Sequence, residues 1–145
     1  MITKDDFLKS LKKIFLVAFC DSLALSALLY LVFWSWEPLL SSDPRTNAYV
    51  MIVVLALVFI AVGGSSFFLR HRANKCNDLP QSELDAIAKL YTPAYKFRVV
   101  SLGASMVLSA VCFALTHEGN SSYLVAILAL LMLLSFPSEQ YVFRR

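Results

Sequence analysis

Few residues in this chain could do chemistry, and the one that stands out is Asp21. It lies in FLVAFCDSLALSALLY, residues 15–30, with apolar residues on both sides. A lone carboxylate in such a run can carry a proton, hold an ion, or bond to a neighbouring helix. The remaining titratable groups form no catalytic pattern. His71 and Cys76 lie near each other in sequence, but a zinc site normally needs four ligands. His117 and Glu118 form an isolated pair, on the opposite side of the expected membrane from His71. No HExxH, GxSxG, P-loop or GxGxxG occurs. An intramembrane protease needs paired groups within the bilayer, and Asp21 has no such mate. The expectation is a non-enzymatic protein without metal or cofactor.

The elements that must position Asp21 follow from composition. Of 145 residues, 59% are hydrophobic, above the 45–50% or so usual for soluble domains. The excess falls in blocks, which points to membrane spans in one domain. The spans are expected at about 14–36, 48–69, 98–116 and 121–140. The last apolar block is the shortest, so its helix is expected to run on towards Gln140, with a bend at Pro137. The first block is longer than the apolar region of a signal peptide and has no clean cleavage site, so it is expected to be retained.

Charge placement sets the threading. Lys4, Lys9, Lys12 and Lys13, then Arg70, Arg72, Lys75, Lys89, Lys96 and Arg98, then Arg144 and Arg145 are 12 of the 13 Lys and Arg, all on one side. Arg45 stands alone on the other. The positive-inside rule then places both termini in the cytoplasm, in the plasma (inner) membrane. Rings agree: Tyr30, Trp34, Trp36, Tyr49 and Tyr123 fall at the outer ends, and Phe7, Tyr95, Phe97, Tyr141 and Phe143 at the inner ends. The net charge of +3 therefore reflects topology, and no nucleic-acid partner is expected because no basic stripe with interleaved aromatics is present. None of Cys20, Cys76 and Cys112 belongs to a CxxC or a disulfide framework.

The fold class expected is an all-α membrane protein, four transmembrane helices in an up-down bundle with short amphipathic helices on the inner face. One such helix should begin at Thr3, with Asp6 three residues on in a capping-box arrangement, and run into the first span. A second is expected at about 82–91 in the inner loop 70–97, with Ser82 as N-cap and Leu84, Ile87, Ala88 and Tyr91 on one face. Pro93 should end it. The closing YVFRR is expected to anchor the last helix at the interface.

Burial does not drive helix association in lipid, whereas close backbone approach and interhelical hydrogen bonds do. Ala18, Ser22 and Ser26 recur every four residues in the first span, and Ser101, Ser105 and Ser109 in the third, with Cys112 continuing that face. Ser122, Ala126 and Ala129 mark the fourth, and Gly63-Gly64-Ser65-Ser66 the second, where the glycines suggest a tight crossing or hinge. Asp21 lies seven residues beyond Ile14, about 10 Å along the helix. The same depth in the second and third spans reaches Gly63 and Ser105. Asp21 is therefore expected to face Ser22, Ser65, Ser66, Ser101 or Ser105, with Arg98 within reach from below.

A mid-span charge costs about 2.5–3.5 kcal/mol. The twelve Leu, Ile, Phe and Val residues between Ile14 and Phe33 offset it with roughly 4–7 kcal/mol. Insertion survives, so Asp21 can serve either as interhelical glue or as a protonation site. The leading expectation is a non-catalytic membrane component acting through helix–helix contacts, as an accessory subunit or an immunity-type protein. Its partners would be the bilayer and a membrane protein or further copies of itself. The competing expectation is a small oligomeric proton-coupled transporter using Asp21. In size, span number and a carboxylate in the first span, the chain resembles the small multidrug-resistance transporters in outline. Those carry Glu at that point, and the long inner loop departs from their compact form.

Overall fold

Helix α1 (Lys4–Phe33) starts where its cap predicts. Thr3 is extended and its Oγ1 accepts a hydrogen bond from the Asp6 backbone N–H at 3.2 Å. That satisfies one of the donors a helix start leaves unpaired. The helix then continues unbroken, so the expected interfacial helix and first span are a single element. The computed structural model describes residues 3–34, 44–79, 83–116 and 119–137. These residues form four α-helices and no strand: α1, α2 (Pro44–Asn77), α3 (Leu84–Thr116) and α4 (Gly119–Leu134). Ser82, Trp36, Tyr141, Phe143 and the terminal arginines lie outside the described residues.

Three of the helices, α1, α2 and α3, are long and apolar enough to cross a membrane. With 30, 34 and 33 residues they extend about 45–50 Å, some 15–20 Å beyond a bilayer core of about 30 Å. Helix α4 has 16 residues, about 24 Å. Gln140 lies outside the described residues, and among those described the helix gives way to a turn at Ser135. There the Phe136 N–H bonds to the Leu133 carbonyl at 3.1 Å, tightening the last turn, and Pro137 offers no N–H to continue the ladder.

The inner loop also differs from expectation. Between 70 and 97 most of the described residues are helical, because α2 runs to Asn77 and α3 begins at Leu84. Pro93 lies inside α3 and does not end it. Its ring is on the exposed side, where it lines an open cavity with Ile60, Gly64 and Phe68 of α2. A buried stripe continues past it on the other side, through Ile87, Ala88, Tyr91, Ala94, Tyr95, Val99 and Leu102. Packing along that stripe outweighs the proline's penalty of about 3 kcal/mol.

Helix α3 is the hub. Helices α1, α2 and α4 each pack on it and touch one another at few points. In the apolar stretch of α3, 61% of residues are buried, against 17% in α1 and 22% in α2. Phe7 meets Tyr91 at one end and Tyr30 stacks on Phe113 at the other, so α1 runs parallel to α3. Helix α2 runs the opposite way, with Cys76 near Ile87 and Met51 near Cys112.

At the basic end the three long helices share a core of Phe7 and Leu11 from α1, Leu69 and Cys76 from α2, and Ile87, Tyr91 and Tyr95 from α3. Phe7 and Tyr95, expected as interfacial rings, are 2% and 0% exposed and belong to this core. At the far end Trp34, Tyr49 and Tyr123 are exposed, while Tyr30 is half-buried and stacks on Phe113.

Candidate functional site

The serine stripes decide how the helices meet. Ser22 and Ser26 are buried on α1, and Ser105 and Ser109 on α3. The Ser109 hydroxyl donates to the Ser105 carbonyl at 2.9 Å, within its own helix, as serines in apolar helices commonly do. Ser65 is buried and donates to the Val62 carbonyl at 3.1 Å. Ser101 and Ala18 are half-buried. Helix α1 comes close to α3 at Gly103. A Cβ there would clash with the Ser22 Oγ, with the Ser22 Cβ at 3.4 Å and the Ala18 carbonyl oxygen at 3.8 Å. The glycine leaves room for the Ser22 side chain between the two helices.

Gly63 and Gly64 play no such part. Both are exposed, and a Cβ on either would meet nothing within 4 Å. The expected tight crossing is on α3, at a glycine that no stripe marked. On α4, Ser122 and Ala126 are exposed and Ala129 half-buried. The buried face consists of Ser121, Leu128, Met132 and Ser135 instead. Ser122 is nonetheless used at the far end, accepting from the Tyr30 hydroxyl at 3.1 Å.

Asp21 does not face the small residues. It is exposed on α1, with exposed Val17, Ala24, Leu25 and Leu28 about it. It makes no hydrogen bond or ion pair among the described residues. The geometry of a helix explains this: Ser22 occupies the seam with α3, and its neighbour in sequence lies about 100° away.

Arg98 is likewise placed differently from expectation. It is half-buried where α2, α3 and α4 converge. Its Nε donates to the Ser135 Oγ at 3.2 Å, and its Nη1 donates to the Ser66 Oγ. Tyr95, fully buried beside it, donates to the Ser135 carbonyl at 2.8 Å. A three-helix polar clamp thus closes the basic end of the apolar layer. Sequence reading found Arg98 and Ser66 but missed Tyr95 and Ser135, which look like an interfacial ring and a helix-end serine.

No group of three or more His, Cys, Asp and Glu side chains comes together as a metal site among the described residues. Cys76 and Cys112 are buried and Cys20 is exposed, and none of the three is in a disulfide. No family model, no curated protein and no solved structure matches the chain.

Proposed function

We propose that this chain is a non-catalytic integral membrane protein that acts through helix–helix contacts, as an accessory subunit or an immunity-type protein. In this reading α4 completes a fourth crossing and the bundle threads up-down through the plasma (inner) membrane. Both termini then lie in the cytoplasm, as the basic residues favour.

The observation that carries the reading is the outward position of Asp21. Ionisable residues within spans face a bundle interior, a water-filled cavity or a partner. Among the described residues Asp21 faces none of these. Cys20 and Ala24 beside it are small and also exposed, which allows a second helix to approach closely. The outward side of α1 is therefore the contact surface.

A photo-crosslinking residue at Ala24 tests this in native membranes. A discrete protein adduct that disappears with Asp21→Leu is expected. Adducts to lipid alone, unchanged by Asp21→Leu, would refute it. The second reading, a proton-coupled oligomeric transporter, draws on the same exposed carboxylate, which copies of the chain could enclose between them. It fails if Asp21→Asn leaves proton-coupled flux in reconstituted vesicles unaltered.

A further inference from the structure

We propose that a cleft between α2 and α3 at the basic end binds the phosphate of an anionic glycerophospholipid head group. The cleft has a volume of about 310 Å³ and is lined by Ser66, Leu69, Arg70, Ala73, Tyr91 and Arg98. It stands apart from Asp21 and does not depend on the role assigned to that residue.

Charge makes the first part of the case. The Arg98 guanidinium is half-buried and held by two neutral hydroxyls, those of Ser66 and Ser135. No carboxylate pairs with it among the described residues. A guanidinium has five N–H donors, and these contacts use two of them. Arg70 lies one turn beyond Ser66 on α2, exposed and also without an ion pair among the described residues. Two cations thus border one cleft without a counter-ion, a costly arrangement at the edge of a low-dielectric layer.

Depth makes the second part. Arg70 follows the apolar run of α2 directly, Arg98 immediately precedes Val99 and the apolar run of α3, and Ser135 follows the end of α4. Arg98 bonds to residues of both neighbours, so these three boundaries share one level. Lipid phosphates lie at such a level, and basic pockets between helices there suit anionic head groups. A phosphodiester accepts paired N–H bonds from guanidinium groups, while Leu69 and Ala73 offer an apolar wall to the glycerol backbone. A zwitterionic lipid would bring its ammonium against the same two arginines.

Native mass spectrometry of the delipidated full chain tests the site, using phosphatidylglycerol, phosphatidylcholine and inorganic phosphate as probes. Phosphatidylglycerol should be retained over phosphatidylcholine by about fivefold or more, the effect of roughly one interfacial charge contact. Arg70→Gln should remove most of that preference with an unchanged melting temperature. Arg98→Gln should remove it too, and Arg98→Lys should keep part of it. Arg72→Gln should leave it intact, because Arg72 lies over the Phe68 ring, 5.2 Å from its centroid, and does not line the cleft. Equal retention of the two lipids would overturn the proposal. So would an Arg72→Gln effect as large as that of Arg70→Gln, or competition by inorganic phosphate at the same concentration as lipid. If Arg98→Gln fails to fold, the Arg70 and Arg72 variants still decide the matter.

Discussion

Replacing Gly103 by Ala probes the seam between α1 and α3 at its tightest level. The added Cβ would coincide with the Ser22 Oγ but lie 3.4 Å from the Ser22 Cβ and 3.8 Å from the Ala18 carbonyl oxygen. The backbones therefore tolerate the methyl group and the serine hydroxyl does not. Either Ser22 changes rotamer or the helices separate, and overpacking of this kind costs about 1–3 kcal/mol. Exchanging Gly for Ala within a helix returns about 1 kcal/mol. The single substitution should thus destabilise by about 0–2 kcal/mol. Ser22→Ala removes the obstructing oxygen, so in that background Gly103→Ala should become stabilising by up to about 1 kcal/mol. The double-mutant cycle then yields a favourable coupling of about 1–3 kcal/mol. Reversible unfolding in bicelles of the four proteins measures it. Effects that add to within about 0.5 kcal/mol would refute the close approach at Gly103.

Three further outcomes follow from the same contacts. Tyr95→Phe removes the 2.8 Å bond to the Ser135 carbonyl and should lower stability by about 0.6–1.7 kcal/mol, read from the unfolding midpoint. Pro93→Ala should raise stability by up to about 3 kcal/mol and slow amide exchange around residue 93, because the ring is exposed and a backbone bond to Lys89 becomes available. With the native cysteines replaced by Ser, a membrane-impermeant maleimide should label Trp34→Cys in intact cells and Lys75→Cys only after lysis. The reverse pattern would invert the proposed threading.

The three long helices were legible because length and apolar content are properties of a segment alone. The Thr3 cap was legible for the same reason. Pro93 misled because a local breaker was weighed without the stripe that passes beneath it. Reading Leu84, Ile87, Ala88 and Tyr91 onwards to Tyr95, Val99 and Leu102 would have predicted an uninterrupted helix. Depth along a helix is a count of residues, so placing Asp21 near the level of the α3 serines was close to the Ser22–Gly103 contact. Azimuth is a different quantity, fixed by which stripe forms the seam. Because Ala18, Ser22 and Ser26 form it, Asp21 was already excluded from it by geometry. The expected glycine crossing went to the wrong helix because adjacency in sequence says nothing about what stands opposite. Gly103 stands singly in the sequence, yet of Gly63, Gly64 and Gly103 it alone faces a neighbouring helix's side chain at the distance of a clash.

Helices α1, α2 and α3 are each longer than a bilayer core and share one packed core at the basic end. In the proposed threading, the part that projects would act as the short arm of a lever whose long arm is in lipid. A change of about 10° in helix tilt, within the range that bilayer thickness and neighbours impose, would sweep its tip sideways by about 3 Å. Under that threading, a change of tilt in the bilayer would be carried to the aqueous surface along continuous helix.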